Sequence, residues 1–112
     1  LAGVDDEGDV RDDEHQFVLE CKGGKAAATA SHGQIETWLQ DTERERQNAE
    51  VSHGFLVTKV SGKGESQAHL WAVHISCAQL REAFGANVPP VGFVTITLGL
   101  FADWWLDHAT VR

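Results

Sequence analysis

The chain has 112 residues, room for one domain and too little for two. Its apolar and charged fractions are those of a soluble globular protein, and no apolar run approaches the roughly 20 residues that a membrane-crossing helix needs. The net charge of −8 taken alone argues against nucleic acid, but residues 5–14 hold seven acids against Arg11, so the acidity is local. Such a cluster is either a solvated loop or a cation site. Leu1-Ala2-Gly3-Val4 lacks the basic start and apolar core of a signal peptide, and the absence of Met points to a chain processed, trimmed or cut from something longer. Cys21 and Cys77 stand far apart without C-x-x-C spacing, which argues against a thiolate zinc site. They fit reduced thiols in a cytoplasmic protein, with a disulfide left open.

In chain order, Gly8-Asp9-Val10 reads as the end of a strand and residues 11–16 as a turn. Phe17-Val18-Leu19-Glu20-Cys21-Lys22 is a β-prone run, giving a hairpin that Gly23-Gly24 ends. Residues 25–30 are small and tolerate helix. Ser31 and Gln34 have capping-box spacing, and residues 34–51 follow helical periodicity through Ile35, Trp38, Leu39, Thr42 and Ala49. Residues 54–60 and 69–75 read as two strands around a flexible turn at 61–66. Residues 77–84 read as a short helix with Gly85 placed to end it. Pro89-Pro90 breaks the chain, 91–98 alternates as a strand, and 100–108 closes as a helix carrying Trp104 and Trp105. The expectation is a mixed α/β sheet domain, with strand order open.

On a strand, alternate residues share a face. Glu20 and Lys22 therefore project together, and Cys21 points to the other side. With Asp9 on the neighbouring strand, two carboxylates and an ammonium make a compact site for a hard cation, which takes oxygen ligands. Such an ion polarises a phosphodiester and lowers the pKa of bound water, while the lysine orients water or offsets charge on the phosphate. The Cys21 carbonyl oxygen is a candidate third ligand.

Gly8-Asp9-Val10 followed by the apolar strand ending Glu20-Cys21-Lys22 resembles the PD-(D/E)xK nuclease superfamily. The later Gln34-x-x-x-Trp38-Leu39, Glu45-x-x-Asn48-Ala49, Val57-Thr58-Lys59 and Ser61-Gly62-Lys63-Gly64 are similar to Holliday-junction-resolvase-like nucleases of actinobacteria and their phages. The likeness covers about residues 3–75 and leaves 86–112 as an unassigned extension of the single domain 1–112. It implies a restriction-endonuclease-like mixed β-sheet flanked by helices, and a Mg²⁺-dependent (or Mn²⁺-dependent) endonuclease. It further implies Asp9 and Glu20 as metal ligands, Lys22 as the catalytic lysine, and a homodimer matched to a four-way junction. Gly8 stands where the motif's nominal proline would be. Relatives carry a further acid on an N-terminal helix, for which Asp6 and Glu7 are the acids at hand here.

Lys25, Gln34, Lys59 and Lys63 are candidate DNA contacts. Each has a plainer explanation, a solvated lysine in three cases and the helix cap for Gln34. The tryptophans read as core or dimer-interface residues. His69 and His74 are expected on opposite faces of one strand, and so not as a metal pair. Two rival functions stay open: a restriction- or repair-type nuclease on duplex DNA, and a non-catalytic DNA-binding protein that keeps the nuclease fold.

Overall fold

The computed structural model describes the backbone over residues 6–12 and 16–110, and side chains over residues 16–105. Of the turn expected over 11–16, Arg11 and Asp12 instead belong to the first strand, and residues 13–15 lie outside the described residues. The protein is an α/β fold in which a five-stranded mixed sheet is flanked by helices.

The strands are β1 (Asp6–Asp12), β2 (Phe17–Lys22), β3 (His53–Thr58), β4 (Ala72–Ser76) and β5 (Phe93–Thr97). The sheet runs in sequence order, β1-β2-β3-β4-β5. β2 and β3 are parallel and the other neighbours antiparallel. A parallel pair needs a long crossover, and residues 23–52 supply it through α1 (Gly24–Ala28) and α2 (His32–Ala49). The helices α3 (Cys77–Phe84) and α4 (Leu98–Thr110) follow β4 and β5 directly.

Local chemistry sets the boundaries. Ser31 caps α2, its Oγ accepting from the Gln34 amide at 3.1 Å. Ser76 does the same for α3 through the Gln79 amide, and Gly85 ends α3 at φ 66°. β3 is central and buried at every position, which is why its apolar run is continuous. β5 is an edge strand and alternates, with Thr95 and Thr97 exposed.

The strand expected over 69–75 is shorter than its apolar pattern. Residues 65–70, including His69, form a 3-10 helix kinked at Gln67, and β4 begins only at Ala72. The amides of Gln67 and Trp71 bond back to the carbonyls of Gly64 and Ala68, so the chain turns instead of pairing. A short apolar run does not distinguish strand from helix by itself.

The sheet has two different faces. On one, Phe55, Val57, Val73 and Ile75 pack with Trp71 and with Phe101 and Trp105 of α4. Phe17, Leu19 and Cys21 border this core, so the Cys21 side chain does point away from Glu20. Phe101 and Trp105 come from the extension beyond residue 86, which therefore completes the core, as β5 completes the sheet. The other face lies under α2 and carries Glu20, Thr58 and His74, all buried. Gly54 lets α2 approach: a Cβ there would sit 3.1 Å from Thr42 Cγ2 and 3.3 Å from the Thr42 carbonyl oxygen. Cys21 and Cys77 are free thiols, and among the described residues no helix is long and apolar enough to cross a membrane.

Candidate functional site

The β1–β2 ladder sets Asp9 directly opposite Glu20, with a register shift between Asp6 and Asp9. Directly opposed positions of an antiparallel pair share a face of the sheet. The side chains of Asp6, Glu7 and Asp9 lie outside the described residues. Glu20 is 2% exposed, and Lys22 Nζ stands 3.9 Å from its Oε1, so the alternation expected for Glu20 and Lys22 holds.

Helix α2 covers this pair. Thr42 Oγ1 donates to the Trp38 carbonyl at 2.9 Å and lies 3.5 Å from Glu20 Oε1. A hydroxyl has one proton, so the shorter bond takes it and the contact to Glu20 is minor. Lys22 Nζ is 5.7 Å from the centre of the half-buried Trp38 ring, within cation–π range. A carboxylate this buried is costly unless charge and hydrogen bonds surround it. The Lys22 ammonium and the opposed Asp9 position belong to this face.

The other singled-out residues are distributed. Lys25 is exposed on α1, and Gln34 is exposed in the first turn of α2, where its amide serves the cap. Lys59 Nζ lies 4.9 Å from the Trp71 ring, and the Lys63 carbonyl accepts from Trp71 Nε1 at 2.7 Å. The Lys59 ammonium and the Lys63 backbone thus meet the Trp71 ring on the aromatic face. His69 sits in the 3-10 helix, so the comparison with His74 on one strand no longer applies.

Sequence reasoning missed Thr42, Thr58, His74 and Thr95. His74 is 4% exposed, and both ring nitrogens are engaged: Nε2 with Thr58 Oγ1 at 2.9 Å and Nδ1 with Thr95 Oγ1 at 2.8 Å. Burial pushes its pKa down to about 4, so the ring is neutral at neutral pH. Strand alternation could have put Thr58, His74 and Thr95 each on one face of its own strand. Only the pairing registers put them on the same face.

Among the described residues, no three His, Cys, Asp or Glu side chains gather as a metal group. A groove of about 680 Å³ between α2 and α3 is lined by Glu36, Glu43, Glu82 and Arg46 among others, and neither Glu20 nor Lys22 lines it. Arg46 bonds Glu43 there and holds its carboxyl below the usual range. No family model, curated protein or solved structure matches this chain.

Proposed function

We propose that the protein is a metal-dependent endonuclease that hydrolyses DNA phosphodiesters, with branched, four-way-junction-like DNA as substrate. One observation carries the reading: Asp9 and Glu20 are opposed in the ladder, and Lys22 follows on the same face of β2. The donor chemistry fits Mg²⁺ or Mn²⁺, which take oxygen ligands. Asp9, Glu20 and the Cys21 carbonyl are the residues that would hold the ion. When bound, such an ion supplies Lewis acidity toward a phosphate and lowers the pKa of water.

The chain's own residues do the rest. Glu20 is fixed by burial under α2, so its carboxylate needs little reorganisation. Lys22, 16% exposed at its side chain, is placed to orient water or offset charge on the phosphate. Lys25 and Gln34, exposed at the starts of α1 and α2, are proposed phosphate contacts; Lys59 and Lys63 are proposed contacts farther along the chain. A homodimer in the cytoplasm belongs to the same proposal, since a four-way junction is symmetric.

The test is nicking of four-way junctions with Mg²⁺ by Asp9→Asn, Glu20→Gln and Lys22→Met. All three should lose activity; if all three match an active wild type, the site is wrong. Junction, flap, single-stranded and linear duplex substrates run side by side separate resolvase from restriction- or repair-type activity. The net charge of −8 favours a second reading, a non-catalytic protein on the same fold. Calorimetry with Mn²⁺ or Ca²⁺ decides between them, because that reading expects no binding by the folded protein.

A further inference from the structure

The two end strands of the sheet are built differently. β1 carries Asp6, Glu7, Asp9 and Asp12, and charge on an end strand discourages pairing with another chain. β5 has none of the usual guards. Phe93-Val94-Thr95-Ile96-Thr97 holds no charge and no proline, its register against β4 has no bulge, and residues 83–102 contain no Asp, Glu, Lys or Arg. Among the described residues, no strand lies outside β5.

The ladder fixes which backbone groups face outward. Cys77 N–H donates to the Gly92 carbonyl and Leu98 N–H to the Trp71 carbonyl, each in line with the β4–β5 pairs. Bonded and non-bonded pairs alternate along an antiparallel ladder. Val94 and Ile96 therefore bond β4, and the amides of Phe93, Thr95 and Thr97 point away from it. Thr95 and Thr97 are exposed, as are the apolar Val91 and Leu100 on either side of the strand in sequence. Outward strand amides are a template for one more strand.

We infer that β5 pairs antiparallel with β5 of a second copy, about a two-fold axis at Thr95, making one continuous sheet. Thr95 is the middle of the three outward residues, so it meets its own counterpart while Phe93 meets Thr97. Pro89-Pro90 before the strand and α4 after it confine the pairing to this stretch. Charge selects a second copy joined here and not at β1. A chain of net charge −8 repels itself at short range. Pairing through β5 puts the two acidic β1 strands roughly nine strand spacings apart, about 40 Å, against a Debye length of about 8 Å at physiological salt. Pairing through β1 would bring the same acids to about 5 Å. The inference gives the dimer of the nuclease reading a surface, but it stands on the strand edge and not on that reading.

The test is sedimentation equilibrium of the whole chain over a range of concentrations, with amide hydrogen exchange beside it. The expected species is a dimer of the 12.2 kDa chain in which the Phe93, Thr95 and Thr97 amides gain protection as concentration rises. Thr95→Pro deletes one outward amide and no bond to β4, an orientation in which an edge tolerates proline. It should weaken the dimer about tenfold or more. Thr95→Lys sets two like charges across the axis and should weaken it too. Thr95→Val also loses the hydroxyl that meets His74 but keeps the amide, so it should dimerise as wild type does. A monomer at every concentration, a dimer with these amides unprotected, protection independent of concentration, or a Thr95→Pro that dimerises like wild type overturns the inference. If Thr95→Pro does not fold, Thr95→Lys against Thr95→Val decides. No DNA or metal is involved, so a dimer that fails to nick sinks the nuclease reading alone, and a monomer that nicks sinks this one alone.

Discussion

Thr42 of α2 and Gly54 of β3 approach so closely that a Cβ on the glycine would lie 3.1 Å from Thr42 Cγ2 and 3.3 Å from Arg46 Cβ. Gly54 has no positive φ, so its role is room and not backbone freedom. The same helix carries Thr42 to Glu20 and Trp38 to Lys22, which ties the depth of α2 to the geometry of the candidate site.

Gly54→Ala should therefore destabilise the fold by about 1–3 kcal/mol, as overpacking does, although glycine-to-alanine at an unstrained position otherwise stabilises. Urea unfolding measures it. Because the displaced helix lifts Thr42 and Trp38, Mn²⁺ affinity should fall as well. A variant as stable as wild type with unchanged Mn²⁺ binding would show that α2 has slack here.

Metal binding should appear as stability. A ligand at a hundred times its Kd adds about 2.7 kcal/mol to a protein that binds it only when folded. Mn²⁺ should raise the melting midpoint of wild type and of Lys22→Met, but not of Asp9→Asn or Glu20→Gln. Lys22→Met should bind metal and fail to nick, which separates the lysine's role from that of the carboxylates. A midpoint in Glu20→Gln that responds to Mn²⁺ as wild type does argues for a different metal site.

Much of this site was legible because it is local. Glu20 and Lys22 are two residues apart, and strand alternation alone puts them on one face. The caps at Ser31 and Gly85 are equally local, one hydroxyl and one missing Cβ. The rest depends on register. The parallel pairing of β2 with β3 aligns Lys22 with Thr58, and the β3–β4 and β4–β5 ladders bring His74 between Thr58 and Thr95, residues 16 and 21 positions away. No pattern in the chain encodes such alignments. The 3-10 helix was missed for the opposite reason: the apolar residues around Trp71 serve the core from a turn as well as from a strand.

Lys25 and Lys59 should behave differently toward DNA. Lys25 is exposed, and Lys25→Ala should weaken binding for all sequences and lower the slope of log K against log salt by about 1. Lys59 lies over Trp71, so Lys59→Ala should also cost about 0.5–1 kcal/mol of stability from the lost cation–π contact. Equilibrium binding at several salt concentrations, with urea unfolding beside it, reads both. A salt slope unchanged in Lys25→Ala removes that lysine from the interface.

His74 should make the fold acid-sensitive. Its folded pKa, about 4, lies below the ordinary value of 6.5 because burial disfavours the charged ring. On acidification the unfolded chain takes up this proton first, so the unfolded state gains. The stability that a neutral His74 contributes is whole above pH 6.5, declines as the pH falls from 6.5 toward 4, and is lost below about 4. One proton gives a slope of at most about 1.4 kcal/mol per pH unit, and solvent near the exposed Thr95 keeps the effect under that ceiling. His74→Gln removes the titration while keeping a polar partner for Thr58. Between pH 7 and 4.5 the urea midpoint of wild type should fall further than that of His74→Gln, and other acid-sensitive groups cancel in the comparison. Parallel curves for the two proteins would mean that His74 protonates equally in the folded and unfolded chain, against the burial that disfavours its charged ring.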